Sequence, residues 1–324
     1  MSLFTRRARR GRARARTALA VAGAAALVAL AGCGSDDEGG SGGDESLGPV
    51  TISGQNFTEM QILAELYAQV LADDGYEVTQ KLVDTRPIYI DQLSSNDVQV
   101  APEYLSGIGD YLNTEAFGPD ADPITDNNVQ ATYDEVATLA ADVGITLLEP
   151  AEATDQNAYA VTQEYADQLS LATLSDLGES GETVKLAAAP DCKDRQDCAK
   201  GLESVYGIDI AEVVPLGFGS PEGKQAAQNG EVQVVQVATT DGSLEDDGLV
   251  LLEDDQGLQP AQNLIPAVNS EWLTTNQDAA TSLNELSASL TTEDLAELNA
   301  RVDVDREKPA DVARDYLESE GLLG

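Results

Sequence analysis

Four cations and two cysteines stand where chemistry could be done. Arg86, Lys193, Arg195 and Lys224 belong to the 11 basic residues that remain once an Arg-rich leader is set aside, against 58 Asp and Glu. A guanidinium grips a carboxylate with two parallel hydrogen bonds, whereas an ammonium acts as a point charge. Cys192 and Cys198 have five residues between them. Without His or a further Cys nearby, that spacing suits zinc poorly. A local disulfide is favoured over two free thiols. The chain has no His, which removes Ser-His-Asp and Cys-His nucleophiles, His-ligated metals and imidazole acid–base chemistry. Its formal net charge of −40 opposes nucleic-acid binding, which needs Lys and Arg on the phosphates. No Gly-rich phosphate loop or nucleophile elbow occurs. The acidic runs Asp36–Glu38, Glu245–Asp247 and Glu253–Asp255 lack the alternation of a calcium loop. No enzyme activity, metal or cofactor is expected.

The N-terminal charge has a separate meaning. Arg6, Arg7, Arg9, Arg10, Arg12, Arg14 and Arg16 precede any acid, so the chain from residue 17 onward carries −47. Residues 1–33 have the charged, apolar and small-residue regions of a secretory signal. The apolar stretch from Ala18 to Ala31 is short for a membrane span. Leu30-Ala31-Gly32-Cys33 resembles a bacterial lipobox, which would make Cys33 the lipidated mature N-terminus; an uncleaved membrane anchor is the other reading. Residues 34–48, GSDDEGGSGGDESLG, are too polar to fold and read as a tether reaching about 20 Å. The expected location is extracytoplasmic, lipid-anchored to the outer face of the cell membrane. Disulfides persist there.

The elements that must position these groups alternate. Strands are predicted over Val50–Gly54, Glu77–Val83, Val98–Ala101 (ending at Pro102), Ile145–Leu148, Tyr159–Val161, Val184–Ala188, Val213–Leu216, Val232–Val237, Leu249–Leu252 and Leu264–Val268. Thr58 and Gln61 are spaced as a capping box ahead of a helix. Further helices are predicted over Ile88–Leu93, Val129–Val143, Ala199–Tyr206, Glu222–Asn229, Gln277–Leu290, Glu293–Val302 and from Pro309 to near Gly321. Strands separated by helices argue for parallel α/β units. Binding groups in such sheets sit just beyond strand ends. Those positions hold Gln55-Asn56-Phe57, Asp84-Thr85-Arg86, Pro102-Glu103-Tyr104, Pro190-Asp191-Cys192 and Ala238-Thr239-Thr240-Asp241.

Several of these segments form an ordered set. Asn56-Phe57-Thr58-Glu59, Pro102-Glu103-Tyr104, Gly201-Leu202-Glu203-Ser204-Val205-Tyr206-Gly207 and Thr239-Thr240-Asp241-Gly242, with Val250 to Asp255 after it, resemble the glycine betaine/choline/carnitine-type substrate-binding proteins of ABC importers. The resemblance runs from about Val50 to Leu323. It implies an α/β, two-lobe periplasmic-binding-protein fold of type 2, the Venus-flytrap form. Residues 49–150 plus 262–324 would be one lobe and 151–261 the other, with a hinge near 148–158 and 253–263. A small solute would bind between the lobes, and the closed form would dock on an ABC permease. A monomer is expected.

The family cages quaternary ammonium groups with Tyr rings, whose faces attract a cation that cannot donate hydrogen bonds. By position, Tyr104 and Tyr159 match two cage rings, while Lys224 and Ala238 stand at two others. Tyr89, Tyr111 and Phe218 are replacement candidates. Gln55 stands where relatives often carry a basic residue, beside Asn56. Arg86, Lys193 and Arg195 could grip a ligand carboxylate, and Thr85, Ser106, Thr239 and Thr240 could donate hydroxyls. The alternative implied by Lys224 and Ala238 is the same fold binding a different solute: an amino-acid derivative, a small anion or an aromatic molecule.

Overall fold

A computed structural model describes residues 46–324. The signal segment, Cys33 and most of the tether lie outside the described residues. Ten strands occur in chain order: β1 (Gly48–Gln55), β2 (Tyr76–Val83), β3 (Val100–Tyr104), β4 (Ile145–Leu147), β5 (Asn157–Thr162), β6 (Thr183–Ala187), β7 (Asp209–Val214), β8 (Val234–Ala238), β9 (Leu249–Leu252) and β10 (Leu264–Asn269). They form two five-stranded sheets, ordered β2-β1-β3-β10-β4 and β7-β6-β8-β5-β9.

The sheets are mixed: the expected parallel pairs form, and one reversed strand joins each sheet. β1 pairs in parallel with β2 and β3, but β10 runs antiparallel to β3 and β4. The second sheet repeats this, with β5 antiparallel to β8 and β9. The reversed strand in each case arrives straight from the other sheet. A helix-borne connection returns the chain to the same end of its sheet and gives a parallel neighbour. The segments β4-to-β5 and β9-to-β10 carry no helix, so each delivers its strand from the opposite end. These two crossings also pair with each other through a bridge between Thr154 and Asn263 and a hydrogen bond from Asp155 N to Gln262 O of 3.2 Å.

Apolar side chains cover both faces of each sheet. Helix Thr58–Asp73 presents Ile62, Leu63, Leu66 and Val70 to one face of the first sheet, and the C-terminal helices complete that core with Leu283, Leu295 and Leu317. Helices Arg86–Ser94, Leu105–Phe117 and Val129–Asp142 cover the other face. In the second sheet, helix Ala199–Tyr206 packs with both half-cystines, and helix Pro221–Gln228 covers the opposite side with Ala226 and Ala227.

Three local expectations change. The Thr58/Gln61 capping box does not form: Phe57 is the N-cap, Thr58 Oγ1 donates to Asp303 Oδ1 at 2.7 Å, and Gln61 Nε2 donates to Asn56 Oδ1 at 2.9 Å. β3 continues through Pro102, which faces Pro266 of β10. Two prolines opposite each other leave no N–H without a partner, so the usual objection to a central-strand Pro lapses. Helix Leu105–Phe117 was not predicted, because Gly107 and Gly109 weaken its pattern. Both glycines are needed for close packing: a Cβ on Gly109 would stand 2.5 Å from Val136, and one on Gly107 would stand 2.8 Å from the Arg86 guanidinium.

Candidate functional site

The two sheets face each other across a groove with two adjoining cavities. One, about 370 Å³, takes Phe57, Glu59 and Asn299 from the first-sheet side and Phe218, Lys224 and Thr240 from the other. The second, about 330 Å³, is lined by Asn157, Arg195, Asp197, Gln259 and Gln262. Asp155 and Phe218 line both. Asp155 lies on the crossing from β4 to β5, so the connection between the sheets itself supplies a wall. Phe57 and Phe218 are 39% and 48% exposed, unusual for phenylalanine unless the ring serves a surface or a cavity.

Local folding explains each position. β1 ends at Gln55, Phe57 stays extended as N-cap, and Glu59 falls in the first helical turn. Glu59 is 4% exposed and accepts from Tyr104 Oη at 2.5 Å and Asn299 Nδ2 at 2.6 Å. Asn299 Nδ2 also donates to Thr240 O at 3.0 Å, joining the last helices to the loop after β8. That loop presses on helix Thr292–Asp303 at Gly242, where a Cβ would stand 2.4 Å from Ala296 O and Ala300 N. The Asn299 carbonyl oxygen has no hydrogen-bond partner in the protein.

Burial and like charge shape the electrostatics. The Asp155 carboxyl is pushed up to about 7, first by burial and then by Glu59, against a lowering hydrogen bond from Thr240. Burial, then Glu59, holds the Tyr104 phenol well above its usual value. Lys224 is 7% exposed and points to the cavity wall, where its ammonium sits 2.5 Å from Asp241 Oδ2 and donates to Ser243 Oγ at 2.7 Å. The repulsion that an unpaired Lys224 would exert on a cationic ligand is thereby offset.

The remaining predicted residues divide sharply. Arg86 does not reach the cavities; Nε and Nη2 donate to the two oxygens of fully buried Glu103 at 2.9 and 3.1 Å, and Glu103 also accepts from Tyr89 Oη and Tyr104 N. Tyr159 is 1% exposed in the second core, its hydroxyl donating to Asp197 O at 3.0 Å, so its ring is packing rather than cage wall. Tyr104 also turns inward, behind Glu59. Ser106 is buried and donates to Ala261 O at 2.6 Å. Thr239 ties β8 to the crossing, donating to Thr154 O and accepting from Gln156 N, each at 3.0 Å. Thr85 and Asn56 are exposed at helix starts, and Gln55 is half-buried at the end of β1. Arg195 does reach the second cavity, but Asp197 holds it through Nε at 2.9 Å and through Nη2. Lys193 is exposed beside Asp194. Cys192 and Cys198 form a disulfide with Cα atoms 5.2 Å apart, which fixes the loop carrying Arg195 and Asp197.

Sequence reasoning missed Asp155, Asn299 and the cavity role of Phe57. Phe57 and Glu59 lay within the quoted Asn-Phe-Thr-Glu segment, and their place beyond β1 was a usable signal. Asn299 gave none, since it reaches Glu59 from 240 residues away. Among the described residues, no group of three or more acids or cysteines converges to hold a metal ion.

Comparison with known proteins fits this architecture. The glycine betaine-binding protein YehZ of Escherichia coli is 29% identical over 287 residues, covering 86% of this chain and 92% of that protein. A glycine-betaine-binding protein of Pseudomonas aeruginosa is 28% identical over 281 residues, covering 84% and 88%. The solved structure of apo YehZ from Escherichia coli superposes with a TM-score of 0.73 at 28% identity, covering 85% of this chain and 99% of that one. Residues 48–319 match the family described as the substrate binding domain of ABC-type glycine betaine transport system, and the chain belongs to that family.

Proposed function

We propose that this protein captures a small quaternary-ammonium solute of the osmoprotectant class in the groove between its two sheets and delivers it to an ABC permease. The observation that carries this reading is the 370 Å³ cavity bounded by the exposed faces of Phe57 and Phe218 and by Glu59 and Asp155. Ring faces attract an ammonium that offers no N–H, and nearby carboxylates add attraction in a partly dry site. These two phenylalanines take the part that Tyr104 and Tyr159 were expected to play. Lobes of residues 49–150 plus 262–324 and 151–261 would close about the paired crossings by hinge motion. The protein would act as a monomer on the outer membrane face, held by lipid on Cys33. Isothermal titration of the purified protein with glycine betaine, choline, carnitine and proline betaine tests the reading. Saturable heat with at least one supports it; no heat with any overturns the ligand class.

The alternative of a remodelled solute draws on Lys224, which does line the cavity. Its ion pair with Asp241 leaves no free ammonium there for an anion, which favours the cationic reading.

A further inference from the structure

The groove extends beyond the two cavities above. A third, about 610 Å³, adjoins the second through Asp110, Asp197 and Pro260. It takes Asn127 from the first-sheet side and Ser204 and Val205 from the other. The three cavities run in series, and a glycine borders the groove toward each end, Gly242 in the first cavity and Gly257 in the third.

At both glycines the two sides of the groove touch. Gly242, in the loop after β8, lies on the backbone of helix Thr292–Asp303. A Cβ there would stand 2.4 Å from Ala296 O and Ala300 N and 2.7 Å from Ala300 Cα. Backbone atoms inside a hydrogen-bonded helix cannot turn aside as a side chain can. The loop is braced as well. Lys224 holds Asp241 and Ser243, and Ser243 N donates to Asp241 Oδ1 at 3.1 Å. Thr240 is tied to Asn299 and to Asp155.

At the other end, Asn127 Nδ2 donates to Gly257 O at 2.9 Å and Ala261 N to Asp126 O at 2.7 Å. A Cβ on Gly257 would stand 2.4 Å from Asn127 Nδ2 and displace that bond. These partners are also braced. Asp126 Oδ1 accepts from Asn128 N, at the N-cap of helix Val129–Asp142, and Asp254 accepts from Leu258 N and Gln259 N, each at 2.8 Å. Close-packed, braced faces respond to added bulk by moving apart rather than by compressing.

We propose that Gly242 and Gly257 are the seats on which closure of the groove comes to rest, with Gly242 a positioning residue for solute capture. Its missing side chain sets how near the two sheets approach, and hence the width of the 370 Å³ cavity. This rests on the capture reading above and adds what limits the closure. The seat acts through spacing and not through the ligand, because the atoms nearest a Cβ on Gly242 are all helix backbone.

The test is hydrogen exchange of the full chain in detergent, read without solute. In Gly242→Ala the amides of 124–128 and 257–262, at the far end, are expected to exchange at least fivefold faster, while β1 and β2 stay within twofold of the unaltered protein. A rise confined to 239–243 and 296–300 is local packing and overturns the proposal. Lost protection in β1 and β2 means that Gly242→Ala does not fold. Gly257→Ala then applies the wedge from the other end: exchange at 239–243 rises at least twofold, and Asn127→Ala in the same chain restores it. No rise there, or no restoration, overturns the proposal. Titration with glycine betaine, choline, carnitine and proline betaine reads capture. Any solute that the unaltered protein binds is expected to bind Gly242→Ala at least tenfold more weakly, and a smaller loss overturns the positioning role. An unaltered protein that binds none of them overturns the solute reading, and the exchange result then decides the seats by itself.

Discussion

Arg86–Glu103 and Lys224–Asp241 are ion pairs near the groove, and they differ in what surrounds them. Glu103 is fully buried and saturated by two Arg86 nitrogens, Tyr89 Oη and Tyr104 N. Lys224 and Asp241 both border a cavity, and Lys224 also contacts Ser243 and stands 3.9 Å from Asp247. The first pair is closed to any ligand. The second forms part of a cavity wall. A cation beyond a strand end can thus be structural or ligand-facing, and the set of partners decides which.

Breaking the pairs separates the roles. Arg86→Met leaves the Glu103 carboxylate buried without its cation, so a loss of roughly 3–5 kcal/mol is expected in urea unfolding. Lys224→Met should cost only about 1–2 kcal/mol, because Asp241 keeps the Ser243 N–H and borders the cavity. Equal losses would erase the distinction.

Asp155 sharpens it through pH. Its folded carboxyl is raised to about 7. Between the ordinary carboxylate range and 7 the unfolded chain has lost the proton and the folded chain keeps it. Stability therefore falls as pH rises through that window and levels off above it. Asp155→Asn removes the penalty and should gain roughly 4 kcal/mol at pH 8 and little at pH 4, read from melting curves. A variant equally stabilised at both pH values would refute the assignment.

Smaller effects follow elsewhere. Replacing Cys192 and Cys198 by Ala opens a short loop in the second core and should cost about 2 kcal/mol, seen as a lowered melting temperature. The exposed Lys185–Glu212 pair, 3.0 Å long, is the control: Lys185→Ala should change stability by less than about 0.5 kcal/mol.

Much of the fold was legible where local rules act alone. Helix Ala199–Tyr206 and strand Leu249–Leu252 lie at their expected bounds, and Pro309 and Gly321 punctuate the last helix. Legibility failed where tertiary contact overrides propensity, as in helix Leu105–Phe117 and at Pro102. In the site, Thr240 was found by its place beyond a strand, and Lys224 by its position in the family pattern. Tyr159 sits within β5 with its side chain toward the core, and its position in the family pattern could not reveal that.

The sequence by itself determined the bulk chemistry. Its lack of His excludes imidazole chemistry, its acidic excess opposes nucleic-acid binding, and its alternating elements require an α/β body. These follow from residue types and short-range spacing, which need no partner. Only the tertiary structure decided which polar groups face the groove. Glu59 meets Asn299 across 240 positions, and Asp155 feels Glu59 only because the crossing between the sheets brings them together. Burial and charge act through space, so the groups that face the groove emerge only once distant segments are folded against one another.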